Sequence, residues 1–129
     1  MSTLQVTNIQ ATGETASRAV SGVAAAWVNF NGTGTIAARD SQNVSSLTDN
    51  GTGDYTITVA NTFDNTGYST VIGGSPVYGV ATSFSMQIAV SNSGTEIAPT
   101  PAAIRSAYGS TTSYHDVKYA TCTIHGDLA

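Results

Sequence analysis

His115, Asp116, Cys122 and His125 hold all the histidine and cysteine of this 129-residue chain, and they are residue types that bind zinc. His115 and His125 fall on one predicted strand, which separates them by roughly 33 Å if fully extended. One chain therefore cannot bring both to a single tetrahedral site. Only a site on a symmetry axis, with one of the two contributed by several subunits, would be geometrically open. A hydrogen-bonded or solvated imidazole is the plainer role for each. On a strand, His115 and Asp116 would also point to opposite faces, so their adjacency makes no catalytic pair.

Asp49-Asn-Gly-Thr-Gly-Asp54 sets two carboxylates and several carbonyls within six residues, a pattern that could hold Ca²⁺. It lacks the bidentate glutamate that completes an EF-hand loop, and Asp beside Gly is what a plain hairpin turn uses. Gly32-Thr-Gly34 and Gly51-Thr-Gly53 resemble phosphate loops only in composition, because these glycines join strands instead of opening a helix and no Gly-Lys-Ser/Thr follows. Hydrolase chemistry would need a nucleophile beside a base, and no Gly-x-Ser-x-Gly elbow occurs. With eight acidic residues a glycosidase pair of carboxylates would still have to face one cleft. No catalytic residue, cofactor or metal is assigned, and a non-enzymatic protein is expected.

The elements that would position these residues are strands. Trp27-Val-Asn-Phe-Asn-Gly-Thr-Gly-Thr35 and the stretch Asn43 to Val59 each carry an Asn-Gly step followed by Thr-Gly, residues that reach positive φ at low cost. Strands are predicted near Val23–Phe30, Thr35–Arg39, Tyr55–Ala60, Tyr68–Ile72, Val77–Val90, Ala102–Tyr108 and Val117–His125. The longest puts Tyr78, Val80, Phe84, Met86, Ile88 and Val90 on one face; Tyr55, Ile57 and Val59 alternate with Thr56 and Thr58 in the same way. Ala98-Pro-Thr-Pro-Ala102 reads as a loop or edge. No segment has a helical period. The expected fold is all-β: an antiparallel, jelly-roll-like β-sandwich over residues 23–129, preceded by an extended arm over residues 1–22.

Charged residues are only 9% of the chain against about 25% in an average soluble domain, and the net charge is −4. Arg18, Arg39, Arg105 and Lys118 are scattered, so the clustered cations that nucleic-acid binding requires are missing. One cysteine cannot form an intramolecular disulfide. The N-terminus has neither the basic start nor the apolar run of a signal peptide, and no apolar stretch is long enough to span a bilayer. Synthesis in a cytoplasm, with no membrane partner, is the expectation. In the arm, Leu4, Val6, Ile9 and Val20 stand among polar residues, enough for one strand laid on a partner. Trp27, Tyr55 and Tyr78 are expected on apolar faces, whereas Tyr108 and Tyr114, flanking Gly109-Ser-Thr-Thr-Ser113, are expected in an exposed recognition loop.

Ala26-Trp-Val-Asn-Phe-Asn-Gly-Thr-Gly-Thr35, Asn43-Val-Ser-Ser46 and Asp49-Asn-Gly-Thr-Gly-Asp-Tyr-Thr56 resemble a recurring segment of tailed-bacteriophage virion proteins, labelled tail fibre or structural protein. The opening Ser2-Thr-Leu-Gln-Val6 and the ending Cys122-Thr-Ile-His-Gly-Asp127 are similar too. The resemblance implies a non-enzymatic particle component, made in the host cytoplasm and located in the virion. It also implies a homotrimer, for which the arm and the small-residue strand faces offer a physical basis. A short chain with an arm and no shaft fits a capsid decoration (cement) protein bound to the major capsid protein. The alternative is a short tail fibre or fibre tip bound to tail proteins and a host surface receptor. In a protein made by a bacterium, the Asn-x-Ser/Thr triplets at Asn31, Asn43 and Asn50 are turn chemistry and not glycosylation sites.

Overall fold

Strict alternation decides which side chains of this chain enter the core. In Ala24–Asn31 the residues Ala26, Val28 and Phe30 are buried while Trp27 and Asn29 lie on the other face. In Asp54–Val59 the set is Tyr55, Ile57 and Val59. These two strands face each other through Phe30 and Tyr55, whose rings meet edge-on with centroids 5.2 Å apart. Trp27 is a correction to the sequence reading: it sits one residue out of phase with the buried set, on the outer face. Its indole N–H donates to Gln42 Oε1 at 3.0 Å.

The computed structural model describes residues 2–9, 18–19, 23–75, 85–88, 95–109 and 113–129. In chain order the strands are β1 (Asn8–Ile9), β2 (Arg18–Ala19), β3 (Ala24–Asn31), β4 (Ala37–Gln42), β5 (Val44–Gly51), β6 (Asp54–Val59), β7 (Ser69–Gly74), β8 (Ser85–Ile88), β9 (Ala103–Gly109) and β10 (Ala120–His125). β1 and β2 pair with each other in the arm. The rest form two antiparallel four-stranded sheets, ordered β4-β3-β10-β7 and β5-β6-β9-β8. The fold is thus an all-β sandwich. In the second half β7 and β8 lie in different sheets, and β10 and β9 pair with them in turn. The first half is two hairpins, one in each sheet.

Asn43 carries the chain from β4 in one sheet to β5 in the other. It takes a left-handed φ of 54°, which asparagine tolerates better than most residues. Its side chain holds the crossing in place: Oδ1 accepts from the Asn61 backbone N–H at 2.7 Å and Nδ2 donates to the Asn61 carbonyl at 3.1 Å. β5 was not among the predicted strands. Its sequence offers only Val44 and Leu47 as apolar residues, because an outer strand of a sheet buries little.

Two further expectations change. The predicted strand Val117–His125 begins at Ala120, and His115, expected on the same extended stretch as His125, lies in the linker before it. Of the long predicted strand, β8 is described, and it pairs Met86 with Tyr108 and Ile88 with Ser106. Tyr78, Val80, Phe84, Val90 and Val20 lie outside the described residues.

Candidate functional site

The densest group of polar and titratable side chains sits at the end of the sandwich where β3 turns into β4 and β5 into β6. Gly53 occupies the second turn with φ 65° and is buried, and a Cβ there would come within 2.8 Å of the Tyr108 carbonyl and of the His115 backbone. Only glycine fits that conformation and that approach. The Gly53 carbonyl accepts from the Tyr108 N–H at 2.8 Å, and the Tyr108 carbonyl accepts from the His115 N–H at 2.9 Å. Asp116 closes the group: its Oδ1 accepts from the Gly53 N–H at 2.8 Å and lies 3.1 Å from the Tyr55 hydroxyl. That hydroxyl donates to the Gly32 carbonyl at 2.6 Å, and Gly32 N–H donates to the Val117 carbonyl at 2.9 Å. The segments at Gly32, Gly53–Tyr55, Tyr108 and His115–Val117 are joined here.

On the outer face of the β5-β6-β9-β8 sheet, Asp54 is fully buried and forms a fork-to-fork pair with Arg105. Nε donates to Oδ1 at 2.7 Å and Nη2 to Oδ2 at 2.8 Å. Asn50 Nδ2 adds a contact to Oδ1 at 3.3 Å. The hydrogen bond to Asp54 holds the Arg105 guanidinium above its ordinary range. Asp54, Ala107 and Gln87 lie in one row across β6, β9 and β8, and the Tyr114 hydroxyl donates to Gln87 Oε1 at 3.2 Å.

These positions revise the recognition-loop expectation. Tyr108 is buried, not exposed: it shares the inward face of β9 with Ile104 and Ser106, and its ring lies 5.8 Å from that of Tyr55. Tyr114 is half-buried against Gln87. The exposed aromatic in this part of the chain is Tyr119, 51% exposed, with the Arg39 guanidinium 4.4 Å above its ring and Lys118 Nζ 5.8 Å from its centroid. Arg39 is held there by donating to the Lys118 carbonyl and to Asn29 Oδ1.

Burial holds the thiol and two of the phenols in their neutral forms. Burial pushes the Cys122 thiol up to about 12, and burial first, then the charge and hydrogen bond of Asp116, pushes the Tyr55 phenol far above its ordinary value. Burial does the same to Tyr108. His115 Nε2 is buried without a hydrogen-bond partner among the described residues. The carboxylates of the Asp49–Asp54 turn serve separate partners: Asp49 Oδ1 accepts from the Gly51 N–H at 2.9 Å while Asp54 holds Arg105. Among the described residues no group of three His, Cys, Asp or Glu side chains is placed to hold a metal ion. A cavity of about 180 Å³ opens between β4 and β5, lined by Ile36, Ala37, Ala38, Ser41, Val44 and Leu47 with two more serines and no titratable group. It is smaller than the roughly 300–1,000 Å³ of small-molecule pockets.

The arm is arranged in the opposite way. Leu4 is 85% exposed and Val6 45% exposed, and residues 2–7 belong to neither sheet. Ile9 pairs with Arg18 in the β1–β2 ladder. No family model, curated protein or solved structure matches this chain.

Proposed function

We propose that this chain is a non-enzymatic structural protein of a tailed-bacteriophage particle, a homotrimeric decoration protein that binds the major capsid protein and stabilises the head. The observation that carries this reading is the exposed apolar arm, Leu4 and Val6, attached to a sandwich whose polar clusters are bonded internally. Such a module acts by surface complementarity. Extra strand pairing and modest apolar burial at each arm, repeated by symmetry, resist internal pressure through multivalency. The sequence likeness of Ala26–Thr35 and Asp49–Thr56 to virion proteins supports the setting.

Quantitative mass spectrometry of purified particles tests this reading. A copy number comparable with that of the major capsid protein is expected, and absence from particles would overturn it. A second reading, a short fibre or fibre tip that binds a host surface receptor, is favoured by one feature, the exposed Tyr119 flanked by Arg39 and Lys118. It predicts only a few copies per particle. Tyr119 then replaces Tyr108 as the aromatic to substitute.

A further inference from the structure

The two sheets end in four outer strands, and these are not equivalent. β4 carries Arg39 and Asp40, and its register with β3 shifts at Asn29/Phe30. β5 carries Asp49, and its register with β6 shifts at both Val44/Ser46 and Asp49/Gly51. Charges and bulges are the devices that keep an edge from pairing with another chain. β7 has neither. Ser69–Gly74 contains no charged residue, its six pairs with β10 run without a shift, and Val71 on its outer face is 62% exposed. Among the described residues no strand pairs with its outer edge. β8 is also uncharged, but among the described residues it offers only four.

The arm has the complementary properties. Ser2–Thr7 is uncharged and six residues long, as β7 is. Leu4 and Val6, two apart, share one face when the segment is extended. In a single chain these apolar groups remain in water, with Leu4 85% exposed, so the chain's own sandwich does not cover them.

We infer that the outer edge of β7 receives Ser2–Thr7 of a neighbouring copy of this chain as a fifth strand. Backbone hydrogen bonds along the edge supply affinity, and Leu4 and Val6 beside Val71 set the register. Each copy offers one arm and one edge, a head-to-tail contact that closes into a ring if the rotation allows. The inference rests on the assembly role proposed above and names the surface through which copies join.

Native mass spectrometry of the full chain tests it with purified protein and no particles. An oligomer at a multiple of 13.1 kDa is expected. It should fall to monomer on deletion of residues 2–7 and equally on Val71→Lys, with the melting temperature of each variant kept. A second measurement mixes a Val6→Cys protein with a Val71→Cys protein under mild oxidation; buried Cys122 leaves the engineered thiols as the reactive ones, and a disulfide between the two chains is expected. A full chain that is monomeric, or an oligomer that survives both the deletion and Val71→Lys, would overturn the inference. Absence from particles would instead remove the virion reading and leave this contact standing.

Discussion

At the end of the sandwich where Gly32, Gly53 and Asp116 meet, polar groups from four segments are bonded to one another, and the fully buried carboxylate of Asp54 is matched by Arg105. Along β7 the reverse holds: no charge, no bulge, an exposed Val71, and a row of backbone groups with no described partner on the outer side. The first region resembles an active site in composition, since it gathers Asp, Tyr, Arg and His. Its Asp116 carboxylate and Tyr55 hydroxyl are nevertheless engaged in joining segments, through Gly53 and Gly32. The second region contains no titratable side chain, yet it is the edge inferred above to receive another chain. On the proposed assembly, a cluster of titratable residues serves architecture, and a plain stretch of Ser, Thr, Val, Ile and Gly is the place for association.

The contrast is broken most severely by removing a partner at the tied end. Arg105→Ala leaves the Asp54 carboxylate buried without its cation, and a loss of about 3–5 kcal/mol is expected in denaturant unfolding. Replacing Asp54 and Arg105 together by apolar residues should recover part of that loss, because no charge is then buried alone. If the pair instead served a ligand, the single change would leave stability nearly untouched.

A smaller effect separates the regions by pH. The phenols of Tyr55, Tyr68 and Tyr108 are raised above their ordinary 10.0 in the folded chain, and the Cys122 thiol is raised from 9.0 to about 12. Each group stays neutral in the fold at a pH where the unfolded chain would release the proton. The stability they supply is therefore complete below about pH 9 and is lost as the pH rises through 10 toward the folded values. The melting temperature should hold level up to about pH 9 and then fall, less steeply in Tyr55→Phe. β7 contains no titrating group, so association through it should show no such step before unfolding begins.

How much of this was legible in the sequence depends on which physical signal each element carries. β6 could be read because Tyr55, Ile57 and Val59 alternate with threonines and are buried on one face. β5 could not, since an outer strand with Val44 and Leu47 alone has too little apolar pattern to separate it from a turn. Tyr108 was misread as exposed because Gly109 and the serines after it look like a loop; its spacing from Ile104 by four along a strand was the signal that placed it inward. The Asp54–Arg105 pair had no local signal at all, as its members are 51 residues apart and meet only through strand pairing. Leu4 and Val6 stand isolated among polar residues in the sequence and are exposed in the structure, while the β7 edge became recognisable only once strand order identified it as an outer strand.

Hydrogen exchange on the full chain, compared between dilute and concentrated protein, tests the central contrast most directly. The account predicts that amides of Ser69–Gly74 and of Ser2–Thr7 gain protection together as concentration rises, while those of Asp54–Val59 and Ala103–Gly109 stay equally protected throughout. Protection of β7 that is independent of concentration, or a concentration-dependent change confined to the Gly53–Asp116 end, would contradict it.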